Sequence, residues 1–194
     1  MVRLNQDPEL KKAILDLPKA EKDKLLIRLI NKDGMLMKQL HFQLLEDEAD
    51  LDNRTEEVLD KLRRLMARAV DYIPNINRSR NADHLMGELK YGSGLINEHV
   101  AITKDKMSEV KLRLFLISTS FANFGELFEE HLYRQNERLL KYQTGRMKYI
   151  LGKFDKLHED LQFEFRSELN ETLAFAYQTG MQPFMATAGL PNEI

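Results

Sequence analysis

Apolar residues recur every three or four positions along most of this chain, which is the spacing of one face of an α-helix. The clearest early example lies between residues 54 and 73, where the apolar stripe consists of Leu59, Leu62, Met66, Ala69 and Ile73. Proline is absent from residues 75 to 182, and that stretch contains no Asn-Gly or Asp-Gly hairpin step. The pattern therefore predicts an all-α protein.

The first part of the chain carries short helical patterns separated by stop signals. Asp7 followed by Pro8 is a typical helix start, and Pro18 opens the next helix. A turn over residues 31 to 34 ends that helix before a third one begins. The apolar faces of the second and third helices are Leu25, Leu26, Leu29 and Ile30, then Met37, Leu40, Leu44 and Leu45. Residues 18 to 47 are therefore predicted to form a short αα-hairpin.

Two long apolar stripes, over residues 107 to 142 and 147 to 177, occupy the C-terminal half. The tetrapeptide Tyr-Gln-Thr-Gly closes each stripe, ending at Gly145 and again at Gly180. Glycine commonly follows the last turn of a helix, so the two copies mark predicted helix ends. The predicted fold is an all-α helical bundle with a long C-terminal αα-hairpin that turns at Gly145.

Two other arrangements fit the same pattern. The 35-residue offset between the tetrapeptides is close to the period of helix-turn-helix repeats, which would give a short α-solenoid of helical hairpins. Little of the surrounding sequence matches between the two copies, which weakens the repeat interpretation. Alternatively, a capping box formed by Asn123 and Glu126 would split residues 105 to 178 into three shorter helices.

Irregular segments divide the chain into three predicted regions. Residues 74 to 81 contain proline and no helical pattern, and they separate an N-terminal region of short helices, residues 1 to 73, from a C-terminal bundle, residues 79 to 180. The Gly-Ser-Gly sequence at residues 92 to 94 predicts a hinge or a helix break. Residues 181 to 194 contain two prolines and several small residues, so we expect an irregular tail.

Composition narrows the class of protein. The chain has 194 residues, of which 43% are hydrophobic and 31% are charged, an ordinary balance for a globular protein. It contains no cysteine, which excludes disulfides, thiolate-ligated metals and a thiol nucleophile. No apolar run reaches the roughly 20 residues of a membrane helix, and the N-terminus lacks a signal-peptide core. We therefore expect a cytoplasmic protein that does not interact with membranes.

Charge is distributed unevenly, although the formal net charge is only −2. Residues 46 to 57 hold seven acidic residues and one arginine, which predicts a solvated loop that leads into a helix N-terminus. Residues 134 to 156, here called the basic segment, hold seven basic and two acidic residues, for a local charge of +5. Besides binding a polyanion, the basic segment could be solvated surface, or it could pair with residues 46 to 57 or with another molecule.

The basic segment is the candidate binding site. Basic groups interleaved with tyrosine rings can hold single-stranded nucleic acid or another polyanion. A helix C-terminus would account for Arg138 and Lys141, but Arg146 and Lys148 would open the following helix, where cations are disfavoured. The candidate binding residues are Arg134, Arg138, Lys141, Arg146, Lys148 and Lys153.

The five histidines form no recognisable metal or catalytic motif. Metal sites in helical bundles use Glu-x-x-His pairs, and this sequence contains none. The nearest patterns are Asp155-x-x-His158 and His84-x-x-x-Glu88. No nucleophilic serine motif of the strand-turn-helix type occurs either. We therefore predict no catalytic residues, no metal ligands and no cofactor.

Extensive amphipathic helix without a convergent catalytic set favours a non-enzymatic interaction or scaffold protein. Its expected partners are another protein or a second copy of the chain. Binding of nucleic acid or another polyanion through the basic segment is the alternative hypothesis. A helical-bundle metal protein or enzyme is a third.

Overall fold

A computed structural model describes residues 4–75 and 80–194, and the regular elements within these ranges are all helical. The helices are α1 Pro8–Leu15, α2 Lys19–Ile30, α3 Gly34–Leu45, α4 Glu48–Tyr72, α5 Asn81–Thr103, α6 Lys106–Phe124, α7 Glu137–Phe154, α8 Glu159–Tyr177 and α9 Gln182–Thr187. The predicted all-α helical bundle is therefore confirmed. The expected irregular connection at residues 74 to 81 falls partly outside the described residues.

The chain divides into two compact units, Met1–Glu46 and Asp47–Ile194. This boundary lies before α4, whereas the sequence pattern places α4 in an N-terminal region that ends at residue 73. Packing explains the difference: α4 contacts both α5 and α6, and its stripe residues Leu59 and Leu62 are buried in the core that these helices share. The first unit thus contains α1 to α3, and the second contains α4 to α9.

Aspartate caps begin two of the three helices in the first unit. The Asp7 carboxylate accepts a hydrogen bond from the Leu10 amide at 3.0 Å, at the predicted start of α1. Asp33 Oδ1 accepts hydrogen bonds from the Met35 and Leu36 amides, each at 3.0 Å, and these bonds cap the start of α3. Only residues 31 to 33 separate α2 from α3. None of the residues in α1, α2 or α3 is buried, although α2 and α3 carry the predicted apolar faces.

Acidic residues begin α4. Asp47 and Asp50 form a reciprocal capping box, in which each carboxylate accepts from the other residue's backbone N–H at 3.2 Å. Acidic side chains in a first turn also interact favourably with the positive end of the helix dipole. The acidic residues 46 to 57 are therefore largely helical, and α4 begins at Glu48, ahead of the predicted start near residue 54.

Helix α5 passes directly through the Gly-Ser-Gly sequence that predicts a hinge or a break. A Cβ atom on Gly92 would lie 3.0 Å from Leu116 Cδ2 and 3.1 Å from Leu62 Cδ2. Gly92 is buried at the point where α5 meets α4 and α6. The glycine therefore allows three helices to approach closely, and the helix continues without interruption.

Three helices, α6, α7 and α8, stand where two long helices were predicted. The break between α6 and α7 covers residues 125 to 136, which hold the 3-10 turns Gly125–Phe128 and Glu130–Leu132. Gly145 lies inside α7, and the buried Met147 continues the apolar face beyond it. The predicted long C-terminal αα-hairpin is therefore wrong, and the alternative of three shorter helices describes this region.

Specific hydrogen bonds stabilise the connection between α6 and α7. The buried Asn136 donates from Nδ2 to the Leu127 carbonyl at 2.8 Å, and the Gly180 amide donates to the Phe128 carbonyl at 2.8 Å. A Cβ atom on Gly180 would lie only 3.1 Å from that same Phe128 oxygen. These bonds pair the carbonyl groups of the last two residues of the 3-10 turn Gly125–Phe128.

Helix α6 is central to the second unit. It contacts α4, α5, α7 and α8, and its predicted stripe residues Val110, Leu114 and Ile117 are buried. Each repeat of a solenoid contacts only its neighbours, whereas a helix surrounded by several others is typical of a bundle. The second unit is therefore a bundle and not an α-solenoid.

The segment after α8 is ordered against the bundle instead of forming the expected irregular tail. It contains α9, and the side chains of Met181 and Met185 are fully buried. The Ile194 amide donates to Asn170 Oδ1 at 2.9 Å, and Asn170 Nδ2 donates back to the Ile194 carbonyl at 3.2 Å. These contacts join the segment to α8 and to the core.

Candidate functional site

The basic segment forms one helix of the bundle and the turn before it. Arg134 precedes α7, and the other predicted binding residues lie on that helix: Arg138, Lys141, Arg146, Lys148 and Lys153. Arg138 and Lys141 consequently occupy the N-terminal turns of α7, where the helix dipole disfavours cations. The predicted explanation of these two cations by a helix C-terminus is therefore wrong.

Carboxylates compensate the cations at the start of α7. Arg138 Nη1 lies 3.3 Å from Asp83 Oδ1 on α5, and Lys141 Nζ lies 2.7 Å from Glu137 Oε1 one turn earlier. The hydrogen bond to Glu137 raises the pKa of Lys141. Lys141 Nζ also lies 5.6 Å from the ring centroid of Phe184. Both cations are thus engaged with neighbours on the bundle surface.

Arg146 lies between two tyrosine rings in the middle of α7. Its Cζ atom is 5.2 Å from the ring centroid of Tyr142 and 5.8 Å from that of Tyr149. Lys90 on α5 approaches the Tyr142 ring at 5.9 Å. Stacking of a guanidinium on aromatic rings is favourable and leaves its outer edge available for hydrogen bonds. The predicted interleaving of cations and tyrosines is thus realised at this position.

Lys153 belongs to an ionic cluster around the buried Glu109 carboxylate at the junction of α6 and α7. Its Nζ atom lies 2.7 Å from Glu109 Oε2, and the Glu109 side chain is only 2% exposed. Tyr149 donates from its hydroxyl to Glu109 Oε1 at 3.0 Å. The hydrogen bond to Glu109 raises the pKa of Lys153. Lys153 is therefore a structural cation that compensates a buried carboxylate.

Arg113 completes the Glu109 cluster. Its Nε and Nη2 atoms donate to Glu109 Oε1 at 3.0 and 2.8 Å, and Nη2 also donates to Asn97 Oδ1 at 2.8 Å. Burial favours the neutral form of Glu109, but the hydrogen bonds from Lys153, Arg113 and Tyr149 outweigh it and lower the pKa of Glu109. The cluster thus holds a charged carboxylate where α5, α6 and α7 meet.

Arg134 and Lys148 are the two predicted residues that extend into solvent without an ion-pair partner within residues 4–75 and 80–194. They lie on different elements, the turn before α7 and α7 itself. The structure therefore brings Arg146 and Lys153 together around Tyr149 and does not gather all six cations into one site.

Sequence reasoning missed Glu109 and Arg113. They directly precede the stripe residues Val110 and Leu114, and they stand four positions apart, which is the spacing of an ion pair on a helix. A charged pair within an otherwise apolar face is the signal that could have identified the cluster.

The histidines occupy separate environments. His99 is buried on α5 and lies 2.9 Å from Ser108 Oγ, and burial lowers its pKa. His158 is the N-cap residue of α8. Glu88, which stands four positions after His84, accepts hydrogen bonds from Tyr72 and Arg68. Within the described ranges, no three potential ligands among His, Asp and Glu converge as a metal site would require.

Comparison with known proteins gives no identification: no protein family, no curated protein and no solved structure matches this chain. Each helix in the described part of the chain falls short, in length or in apolar content, of what a membrane span requires.

Proposed function

We propose that this protein is a non-enzymatic interaction or scaffold protein and that α2 and α3 form its docking surface. A single observation carries the proposal: several apolar side chains of α2 and α3, most of them on the predicted faces, are exposed, whereas Leu25, Ile30 and Leu40 are half-buried. The exposed fractions are 57% for Leu26, 59% for Ile27, 51% for Leu29, 70% for Leu44 and 74% for Leu45. Contiguous exposed apolar side chains on an amphipathic helix are typical of a surface that binds a partner.

The size of the first unit supports the same interpretation. Chains near 40 residues usually need disulfides, metals or association to become stable, because they bury too little surface alone. Met1–Glu46 is close to this limit, and the chain has no cysteine. Full burial of one leucine or isoleucine side chain contributes about 1.5–3 kcal/mol. A partner that covers α2 and α3 would therefore stabilise this unit substantially.

A second copy of the chain is the first partner to test. Residues 1 to 46 contain nine basic and seven acidic residues, so two copies would repel each other only weakly. Two αα-hairpins that pack face to face would form a four-helix arrangement, which buries both apolar faces. A different protein with an apolar helical face is the other outcome of the test.

The test compares the full-length chain with the variant Leu26→Glu/Leu45→Glu. We expect the wild type to associate with itself or with a protein partner, and we expect the variant to lose that association because charges oppose burial. Light scattering coupled to size-exclusion chromatography measures self-association over a wide range of concentrations. A photo-crosslinking residue at position 44 identifies a different partner in cells.

Ala20→Glu/Gln43→Glu is the matched control, because it adds the same two negative charges at exposed positions of α2 and α3. It should retain the association. The proposal fails if the wild type is monomeric at every concentration and the crosslinker at position 44 captures nothing that the apolar-face variant loses.

Polyanion binding through the basic segment remains a second proposal, supported by one observation. Arg146 lies between the rings of Tyr142 and Tyr149, and Tyr149 is 39% exposed. Cations that alternate with partly exposed rings are typical of surfaces that stack single-stranded bases. The carboxylate partners of Arg138, Lys141 and Lys153 reduce the free charge of this surface.

Fluorescence anisotropy with a single-stranded oligonucleotide tests this second proposal. Binding should weaken with salt, and Arg134→Glu/Lys148→Glu should lower the dependence of log K on log salt by about one per lost phosphate contact. Absence of binding by the wild type at low salt would refute it. A metal-dependent or enzymatic function has no supporting observation in the described residues.

A further inference from the structure

A small polar cavity lies among α5, α6 and α7 of the second unit. Leu89, Leu116 and Ile117 form its apolar side. Its polar lining consists of Ser93, Arg113, Tyr142, Gln143 and Arg146. The cavity volume is about 10 Å³, which is near the minimum that accommodates one water molecule.

Two buried polar atoms from this lining have no hydrogen-bond partner among the described residues: Gln143 Oε1 and Arg146 Nε. The Gln143 side chain is fully buried, with 0% of its surface exposed. Buried amide and guanidinium atoms are normally paired, because loss of their hydration is unfavourable unless another bond replaces it. Both atoms therefore require a partner that the protein does not supply.

The hydrogen bonds of Ser120 determine which end of the Gln143 amide needs that partner. Ser120 donates from Oγ to the Ile117 carbonyl at 2.7 Å, so its oxygen is left to accept. Gln143 Nε2 donates to this oxygen at 2.7 Å. The amide oxygen of Gln143 is consequently the atom left without a bond.

The chemistry of the two atoms distinguishes among ligands. A phosphate or carboxylate would face the partial negative charge of Gln143 Oε1 and is too large for the cavity. A metal cation would face the positively charged Arg146. An apolar ligand would leave both atoms unpaired. Water can donate to Gln143 Oε1 and accept from Arg146 Nε–H at the same time.

We propose that this cavity binds one internal water molecule that bridges Gln143 and Arg146. The hydroxyl groups of Ser93 and Tyr142, whose oxygens lie 3.3 Å apart, line the same cavity and can provide further hydrogen bonds. This number of polar neighbours is typical of a buried structural water. The bound water would connect α7 to the faces of α5 and α6 through hydrogen bonds.

A crystal structure of the full-length chain, at a resolution that shows ordered water, tests the proposal. The expected result is one water within about 2.7–3.2 Å of both Gln143 Oε1 and Arg146 Nε. An empty cavity, a different ion in it, or a direct bond between Gln143 and Arg146 would overturn the proposal.

Nuclear magnetic resonance provides a second measurement and a matched pair of variants. The wild type should show an Overhauser effect between a long-lived water and the Arg146 Nε proton. Gln143→Met should abolish this effect, whereas Gln135→Met, at an exposed position before α7, should retain it. An unchanged effect in Gln143→Met, or its absence from the wild type, contradicts the assignment. If Gln143→Met does not fold, the crystal structure and the Overhauser effect of the wild type decide whether the water is present.

Discussion

At the scale of single residues, Glu109 is the most consequential charged group of the second unit. It is almost completely buried, yet it accepts hydrogen bonds from Arg113, Tyr149 and Lys153. Removal of Arg113 or Lys153 would leave the buried carboxylate with less compensating charge, and removal of Glu109 would leave both cations without a counter-charge. The cluster therefore makes the positions of α6 and α7 depend on each other.

Substitution of Glu109 by glutamine should destabilise the protein strongly. The change keeps the shape of the side chain but leaves the buried Arg113 and the partly buried Lys153 without a counter-charge. Loss of one partner from a buried ion pair costs about 3–5 kcal/mol. Urea denaturation measures the free energy of unfolding. The control Glu130→Gln, at an exposed position, should change it by less than about 0.5 kcal/mol. Equal effects would show that the cluster contributes little.

His99 should make stability depend on pH below neutrality. Burial lowers the pKa of native His99 below its ordinary value of 6.5, and the nearby Asp105 only partly opposes this. The unfolded chain then binds a proton more readily than the native chain, so stability falls as pH decreases from 7 through about 6 to 5. Glu109, whose native pKa is lowered from 4.5, adds a further loss only below that value.

The free energy of unfolding measured between pH 7 and pH 5 tests the contribution of His99. His99→Gln should flatten this dependence, although the variant itself can be less stable at every pH. Gln135→Ala, at an exposed residue that does not titrate, should leave the slope unchanged. A slope in His99→Gln equal to that of the wild type would contradict the assignment.

At the scale of helices, a substitution at Gly145 tests whether this residue lies inside α7 or at a hairpin turn. A Cβ atom at Gly145 would meet nothing within 4 Å. Alanine in a helix interior is more favourable than glycine by about 0.5–1 kcal/mol. Gly145→Ala should therefore stabilise the protein by roughly that amount in thermal or urea denaturation.

Gly189→Ala provides the comparison for this prediction. Gly189 has a φ of +65°, a conformation that alanine adopts only with strain, although the space around it is also open. This control should be destabilising. A loss of stability in Gly145→Ala would indicate that the chain turns at this residue after all.

Much of the helical pattern could be predicted from the sequence, but the helix ends in the C-terminal half could not. Apolar spacing correctly identified buried stripes such as Val110, Leu114 and Ile117. The same spacing continues across residues 125 to 136 because 3-10 turns also place some apolar residues inward, as Leu127 and Phe128 show. A tertiary bond from Gly180 to Phe128 stabilises the break, and local sequence does not reveal such a contact.

The candidate site was only partly predictable for the same reason. The concentration of cations at residues 134 to 156 is a local property of the sequence, and the alternation of Arg146 with tyrosines is realised. The carboxylates that engage Arg138 and Lys153 come from α5 and α6, far away in sequence. Which cations remain available to a ligand is therefore decided by packing.

At the scale of the whole molecule, burial differs sharply between the two units. The first unit has no buried residue among its described helices, whereas the second contains an extensive core. Local stability generally follows buried apolar contact and protected hydrogen bonds. Each unit should accordingly respond to solvent conditions in its own way.

Hydrogen exchange followed by mass spectrometry tests this difference in the full-length chain. Amides of α1 to α3 should exchange much faster than those of α6, which is surrounded by four helices. If the chain associates through α2 and α3, their protection should increase with protein concentration, while that of α6 stays constant. Equal protection in α2 and α6 at low concentration would contradict the difference in stability between the units.

The order in which the chain is synthesised gives the exposed faces of α2 and α3 a further consequence. The ribosome produces these helices before the bundle, and the bundle itself is completed only when Met181 and Met185 reach their buried positions. Translation at about 5–20 residues per second separates the two events by many seconds. Throughout that interval Leu44 and Leu45 are exposed, so their apolar side chains are accessible to other molecules before the bundle is complete.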